Sequence, residues 1–207
     1  MTQTYSQLGL VEVCLVPDAF RLESKRMQVA FVSRAPKWDM EYFSTGKKVV
    51  NRIPHDLWLN QGVLVMLESN NSMAATTLRY PKHVRMQGLN GIRYTMSLRK
   101  GPSPRLIDHS YCVVTADTGL SEAGQVTLNR IANMPPRPGG VYLASRTIVK
   151  KQAKIRLNKV ERIPYDPAIF QVPAGYKEVT TQADVGVAVP FNMGDFMDAL
   201  DLGNTRR

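Results

Sequence analysis

Cysteine is nearly missing from this chain. Two among 207 residues, Cys14 and Cys112, cannot frame a disulfide-stapled fold, and with no CxxC pair or Cys/His spacing they define no zinc site. Both fall in strand-like runs, where a thiol is ordinarily a small buried hydrophobe. A single Cys14–Cys112 disulfide is the sharper alternative and brings an oxidising compartment with it. Histidine is also scarce: His55, His83 and His109. His55-Asp56 and Asp108-His109 imitate half a triad, but neighbours on a strand point apart and no Gly-x-Ser-x-Gly elbow accompanies them. Phosphate loops, dinucleotide fingerprints and HExxH are absent. The stretch "RPGGVYL" leads into a strand, so it offers a phosphate no helix N-terminus. Carboxylates are few and dispersed, which leaves no acid/base pair. No catalytic residue, metal or cofactor is expected.

Long apolar runs are lacking too. The longest, "GVLVML" at Gly62–Leu67, is far too short to span a bilayer as a helix. The opening "MTQTYSQLGLVEVCLVPDAF" has no Lys/Arg n-region, and Glu12 and Pro17 break its first apolar stretch. The expectation is therefore either a protein acting in the cytoplasm, or a mature periplasmic or envelope protein whose leader was removed. Acidic residues run short as well: 17 against 27 Lys and Arg, a net charge of +10. That balance fits nucleic acid, an anionic membrane surface or an acidic partner. The cations are scattered, with no basic helix or dense run, so solvated strand faces are their plainest reading.

What the chain has in quantity is period-two alternation. "KWDMEYF" sets Trp38, Met40 and Tyr42 against Lys37, Asp39 and Glu41; "GIRYTMSLRK" sets Ile92, Tyr94, Met96 and Leu98 against Arg93, Thr95, Ser97 and Arg99; "AKIRLNK" sets Ile155 and Leu157 against Lys154, Arg156 and Asn158. Such patterning belongs to antiparallel strands with one wet face. It predicts a mainly β fold of about eleven strands in one continuous meander: Leu8–Val16, Ala19–Glu23, Gln28–Arg34, Lys37–Phe43, Lys48–Ile53, Lys82–Gln87, Ile92–Arg99, Ser110–Thr115, Val141–Val149, Ala153–Arg162 and Lys177–Val187. Turns are expected at Ser44–Lys47, where Gly46 would supply positive φ, at Leu89–Gly91 and at Gly101–Pro104. Three short helices interrupt the strands: "LWLNQ" capped by Asp56, "EAGQVTLNRIANM" capped by Ser121 with Leu128, Ile131 and Ala132 on one face, and "FMDALDL" capped by Asp195. No composition break marks a linker, so one domain is expected over 1–207, with its core at 8–187 and a tail at 188–207.

So many strands must bury a face and manage two edges, and curling around a concave interior does both. Ten methionines, among them Met27, Met40, Met66, Met86, Met96 and Met134, suit either an adaptable apolar surface or ordinary core filling. The closing stretch "VYLASRTIVKKQAKIRLNKVERIPYDPAIFQVPAGYKEV" reads as two strands, a Pro-fixed crossing and a last turn at Gly175. It resembles the end of LolA-like half-barrel proteins, especially the bacterial envelope families allied to the lipoprotein carriers LolA and LolB. There, a strand ending in "VE" or a similar pair precedes a Pro-rich link, a Phe and "P-x-GY-K-V". The likeness continues through "VPDAFRLES", "VAFVSRAPKWDMEYFSTGKKVVNRIPHDLWL", "MQGLNGIRY" and "SYCVVTADTGLSEAGQVTLNRIANMPPRPGGVYL". It covers about Leu8 to Val187, in order and at compatible spacings.

The resemblance implies a strongly curved antiparallel half-barrel with lid-like helices, and a non-enzymatic carrier or chaperone holding an acyl chain or other apolar segment. Trp38, Met40, Tyr42, Ile92, Tyr94 and Met96 would line it. Leu57, Trp58, Leu128 and Ile131 would belong to lids at Asp56–Asn60 and Ser121–Met134. A lipoprotein, a membrane surface or a membrane-protein complex would be its partner. A rival expectation is a structural accessory subunit, the same sheet filled, docking on a larger complex through Phe196, Ala199 and Leu200. Nucleic-acid binding ranks third. It needs aromatics interleaved with cations on one exposed face, whereas "YTMSLR" puts them on opposite faces.

Overall fold

The computed structural model describes residues 1–6, 8–61, 76–99, 104–132, 134, 139–146 and 153–186, with side chains omitted at 61, 76, 97–99 and 104–109. The protein is mainly β: one open, curved, mostly antiparallel sheet of twelve strands rather than eleven. The strands are β1 (Thr2–Tyr5), β2 (Gly9–Val16), β3 (Ala19–Ser24), β4 (Val29–Arg34), β5 (Met40–Ser44), β6 (Val49–Ile53), β7 (Thr76–Met86), β8 (Leu89–Arg99), β9 (Pro104–Thr115), β10 (Val141–Arg146), β11 (Ala153–Lys159) and β12 (Lys177–Glu178). Helix α1 (His55–Gln61) follows β6, α2 (Glu122–Ile131) follows β9, and α3 (Gln182–Val185) follows β12.

Spatial order departs from a continuous meander. It runs β12-β6-β5-β4-β3-β2-β1-β11-β10-β9-β8-β7, so the chain starts in mid-sheet, works out to one edge, crosses to the other edge and works back. The unpredicted strand β1 is the seam, paired antiparallel with both β2 and β11. "TQTY" lacks apolar alternation because one inward residue is a glutamine. Gln3 is fully buried; it donates from Nε2 to the Tyr142 carbonyl at 3.0 Å and accepts from the Tyr5 hydroxyl at 3.3 Å. Buried amides are tolerated on those terms.

Several turns also differ. Between β7 and β8 the turn is Gln87-Gly88, with φ of 48° and 84°, and Leu89–Gly91 already belongs to β8. Positive φ at both central residues is what a two-residue hairpin turn demands. Between β5 and β6 it is Lys48, not Gly46, that takes positive φ (54°). Gly46 lies against the end of the exposed Gln28 side chain, which a Cβ there would displace. Trp38, expected in a strand, sits before β5 at φ 58° after the cis Ala35–Pro36 bond. At the C-terminal end, Lys177–Val187 is not one strand. β12 has two residues, paired parallel to β6, and a Thr181/Asp184 capping box then starts α3. That Thr-x-x-Asp signature was present in the sequence. The Gly101–Pro104 turn and the helix at Asp195 lie mostly or wholly outside the described residues.

Three clusters hold the sheet. The largest fills the concave face and joins side chains of β1–β6 and β8–β11 to α1, α2 and Val185 of α3. A second, Ala30, Val32, Phe43 and Val50, lies on the outer face under Val172 and Tyr176. A third gathers Val113, Leu143, Ala144 and Leu157. Ile155 and Leu157, expected together, part company: Ile155 joins the main core, while Leu157 packs beside Leu143, the residue the β9–β10 register skips. The Pro-rich stretch after β11 is a strap over the outer face. Its 3₁₀ turn Pro167–Phe170 is capped by Asp166, Phe170 is buried, and Tyr176 meets the Phe43 ring edge-on at 5.5 Å. Arg21 fastens it by donating to the Ile169 carbonyl at 3.2 Å while lying over Phe43.

Candidate functional site: the concave face

Strand alternation puts one side chain in two on the inner face, and curvature brings those side chains together. Trp38, Met40, Tyr42, Tyr94 and Met96 all lie in the main core, with Ile92 half-buried at its border. From the other side come Trp58 of α1 and Leu128 and Ile131 of α2, all three buried. Leu57 does not join them; it is 46% exposed, because the turn of α1 that buries Trp58 directs its neighbour outward.

Aromatic stacking builds the centre. Phe31 lies over Tyr42 with ring centroids 4.7 Å apart and tilts against Trp58 at 6.3 Å, while Trp38 stacks on Phe20 at 6.4 Å. Phe31 went unrecognised because "VAFVSR" is buried on both faces and shows no alternation. Gly124 of α2 makes room for Trp38: a Cβ there would lie 2.6 Å from its Cη2.

Polar atoms hold the helices. Trp58 Nε1 donates to the Thr127 carbonyl at 3.0 Å, His55 Nε2 lies 3.0 Å from Thr127 Oγ1, and Arg130 donates to the Asn60 carbonyl at 3.0 Å. Asn129 ties α2 to β10 by donating to the Gly140 carbonyl and accepting from the Tyr142 N–H. The expected caps are replaced. The His55 N–H donates to Asp39 Oδ1 at 3.0 Å, so the start of α1 is satisfied from the turn before β5 and not by Asp56. Ser121 stands at the N-cap of α2 without a side-chain bond.

Against this order, three hydroxyls of the inner face have no hydrogen-bond partner among the described residues: Ser33 Oγ, in register with the inward Phe20 and Met40, Tyr42 Oη and Ser145 Oγ. Ser145 sits opposite Cys112 across β9–β10. Burial pushes the Tyr42 phenol up to about 12, and the Tyr5 phenol is raised by the same cause. Both stay neutral donors.

Neither cysteine is part of a disulfide. Cys112 faces the main core, whereas Cys14 alternates with the inward Val13 and so faces out; β1, β11 and β10 also intervene between β2 and β9. No disulfide joins them, since a bridge needs Cα atoms within about 7 Å. Phe196, Ala199 and Leu200 lie outside the described residues. At the rim, an open cleft of about 390 Å³ is lined by Arg34, Pro36, Lys37, Asp39, Glu41 and Arg52 among others. Glu41 accepts from Arg34 at 3.3 Å and from Arg52 at 3.1 Å, so its carboxylate is engaged. No group of metal-ligating side chains occurs among the described residues, and no described helix is long and apolar enough to cross a membrane.

No family model matches this chain, and neither does any curated protein.

Proposed function

We propose that the protein is a non-enzymatic binding protein of the LolA-like half-barrel kind, which holds an acyl chain or another apolar segment between the inner face of the sheet and its two covering helices. The observation that carries this reading is the buried, unpartnered Tyr42 hydroxyl on an apolar inner face closed by short helices and not by strands. An apolar site with a few polar groups is the usual make-up of a small-ligand site. Room would come from α1, a helix of seven residues. Lifting it off α2, with its start still held by Asp39, costs about 5 kcal/mol, taking roughly 1 kcal/mol for each of the three hydrogen bonds between the two helices and about 2–3 kcal/mol for exposing Trp58. A chain burying more than about seven methylenes, at about 0.8 kcal/mol each, offsets that. Methionines at 40, 96 and 134 repack at little cost around such a guest.

The test is native mass spectrometry with lipid extraction, on protein purified from its own organism without detergent. A stoichiometric acyl species, reduced in Tyr42→Phe, is the expected result. A bare monomer that also fails to take up a fatty acid in vitro overturns the proposal. The filled state of the inner face favours a second reading, a structural accessory subunit; its signature in the same experiment is a constant hetero-complex with no small molecule.

A further inference from the structure

Strand register collects cations that the sequence scatters. On the outer face, Lys82 of β7 stands opposite Arg93 of β8, Arg93 opposite Val113, Val113 opposite Ala144, and Ala144 opposite Arg156 of β11. One pair along, Arg79, Thr95, Tyr111 and Arg146 form a parallel row. All five cations are exposed. No Asp or Glu occurs between Glu68 and Asp108, and the ion pairs among the described residues lie in β2–β6, at β12 or at Lys159–Glu161. Like charges directly opposite, as at Lys82 and Arg93, destabilise a sheet on their own. A face that keeps them with no carboxylate paired to them among the described residues is arranged for an external anion.

We propose that this face docks the protein on an anionic phospholipid bilayer. The apolar side chains at its two ends select a bilayer over a polynucleotide. Leu10, 58% exposed, is next in the first row, opposite Thr4, which is opposite Arg156; Tyr80, 65% exposed, stands at the β7 bulge between Arg79 and Lys82. An exposed leucine and tyrosine flanking a cation row fit the headgroup boundary, where tyrosine is enriched and acidic lipid attracts lysine and arginine. Single-stranded nucleic acid wants open aromatic faces among the cations. Here Tyr80 alone is open, too few for a run of stacked bases, because Tyr111, the aromatic inside the rows, has its face taken by the Arg93 guanidinium at 4.4 Å. This proposal stands apart from whatever the inner face holds.

The experiment is co-sedimentation of the full chain with phosphatidylcholine vesicles and with mixed phosphatidylcholine–phosphatidylglycerol vesicles, at low and high salt. Binding is expected to the mixed vesicles alone, and to weaken with salt. Lys82→Gln with Arg93→Gln should lower the partition coefficient about twenty-fivefold, at about fivefold per cation. Lys25→Gln with Arg34→Gln, the same charge change elsewhere, should lower it little. Leu10→Ser should weaken vesicle binding while leaving any residual binding to a single-stranded oligonucleotide unchanged. Equal binding to both vesicle types, an unaltered Lys82/Arg93 variant, or an oligonucleotide that binds more tightly and displaces the vesicles would each overturn it.

Discussion

Replacing Tyr42 by Phe should stabilise this protein, although it deletes a group from the centre of the core. The side chain is fully buried and its ring stacks on Phe31 at 4.7 Å. A phenylalanine keeps that stacking and the apolar area. What disappears is a hydroxyl with no hydrogen-bond partner, a group whose desolvation costs about 1–3 kcal/mol when unpaired. The vacated volume is one oxygen atom, so the opposing packing loss stays under about 1 kcal/mol. A net gain of about 1 kcal/mol follows, which for a chain of this size raises Tm by about 2–4 °C. Tyr5→Phe is the control. That phenol is equally buried but donates to Gln3 Oε1, so its loss strands an acceptor and should cost about 1 kcal/mol. Urea unfolding followed by tryptophan fluorescence reads both, with an unchanged m value confirming that the denatured states match. If Tyr42→Phe is destabilised as much as Tyr5→Phe, the hydroxyl is satisfied and the binding argument built on it fails. A variant more stable yet poorer at retaining ligand is the expected trade.

Three other perturbations probe the same architecture. Gly124→Ala gains up to about 1 kcal/mol of helix propensity, but its Cβ would lie within 2.8 Å of Trp38 and Leu120 atoms; overpacking of this kind costs about 1–3 kcal/mol, so a lower urea midpoint and an altered near-ultraviolet tryptophan signal are expected, and a higher midpoint refutes the packing. With a thiol reagent, half-buried Cys14 should label in the native protein and buried Cys112 only on unfolding, with the chain running identically on reducing and non-reducing gels; a mobility difference contradicts the strand order. In alkali, the Tyr42 phenol ionises near 10 when unfolded and about 12 when folded. Stability is therefore complete below pH 10 and falls between 10 and 12, where the unfolded chain releases its proton first, with a slope approaching 1.4 kcal/mol per pH unit for each such tyrosine; Tyr42→Phe should flatten part of that slope in urea titrations at graded pH.

Much of the inner face was legible because one-sided burial writes itself into alternation. Trp38, Met40 and Tyr42, and likewise Tyr94 and Met96, share a face by alternation in the sequence and share the core in the structure. The signal failed where another force wrote the pattern. Gln3 reads as solvent-facing but is buried because its amide is hydrogen-bonded. Leu57 and Trp58 look alike in a hydrophobic run, and only helix phase separates the exposed one from the buried one. Gly46 looks like the turn's positive-φ residue because glycine usually is, but Lys48 takes that conformation. The basic rows had no local signal at all. Arg93 and Arg156 become neighbours in a row only when β8, β9, β10 and β11 are laid in register, and register between distant strands cannot be read from composition.

The position of β1 has a consequence for the order in which the sheet is assembled. Thr4 pairs with Leu10 on one side and with Arg156 on the other, one contact available at once and one only after most of the chain has been synthesised. The strands from β1 to β6 can zip early, yet they hold an open edge at the future centre of the sheet until β11 emerges. Closing so long a loop is slow, and an unpaired edge kept waiting invites pairing with another chain. The seam of the finished sheet is therefore its most vulnerable line during biogenesis, and lengthening the wait by slowing translation between β6 and β11 should raise aggregation without altering the stability of molecules that complete it.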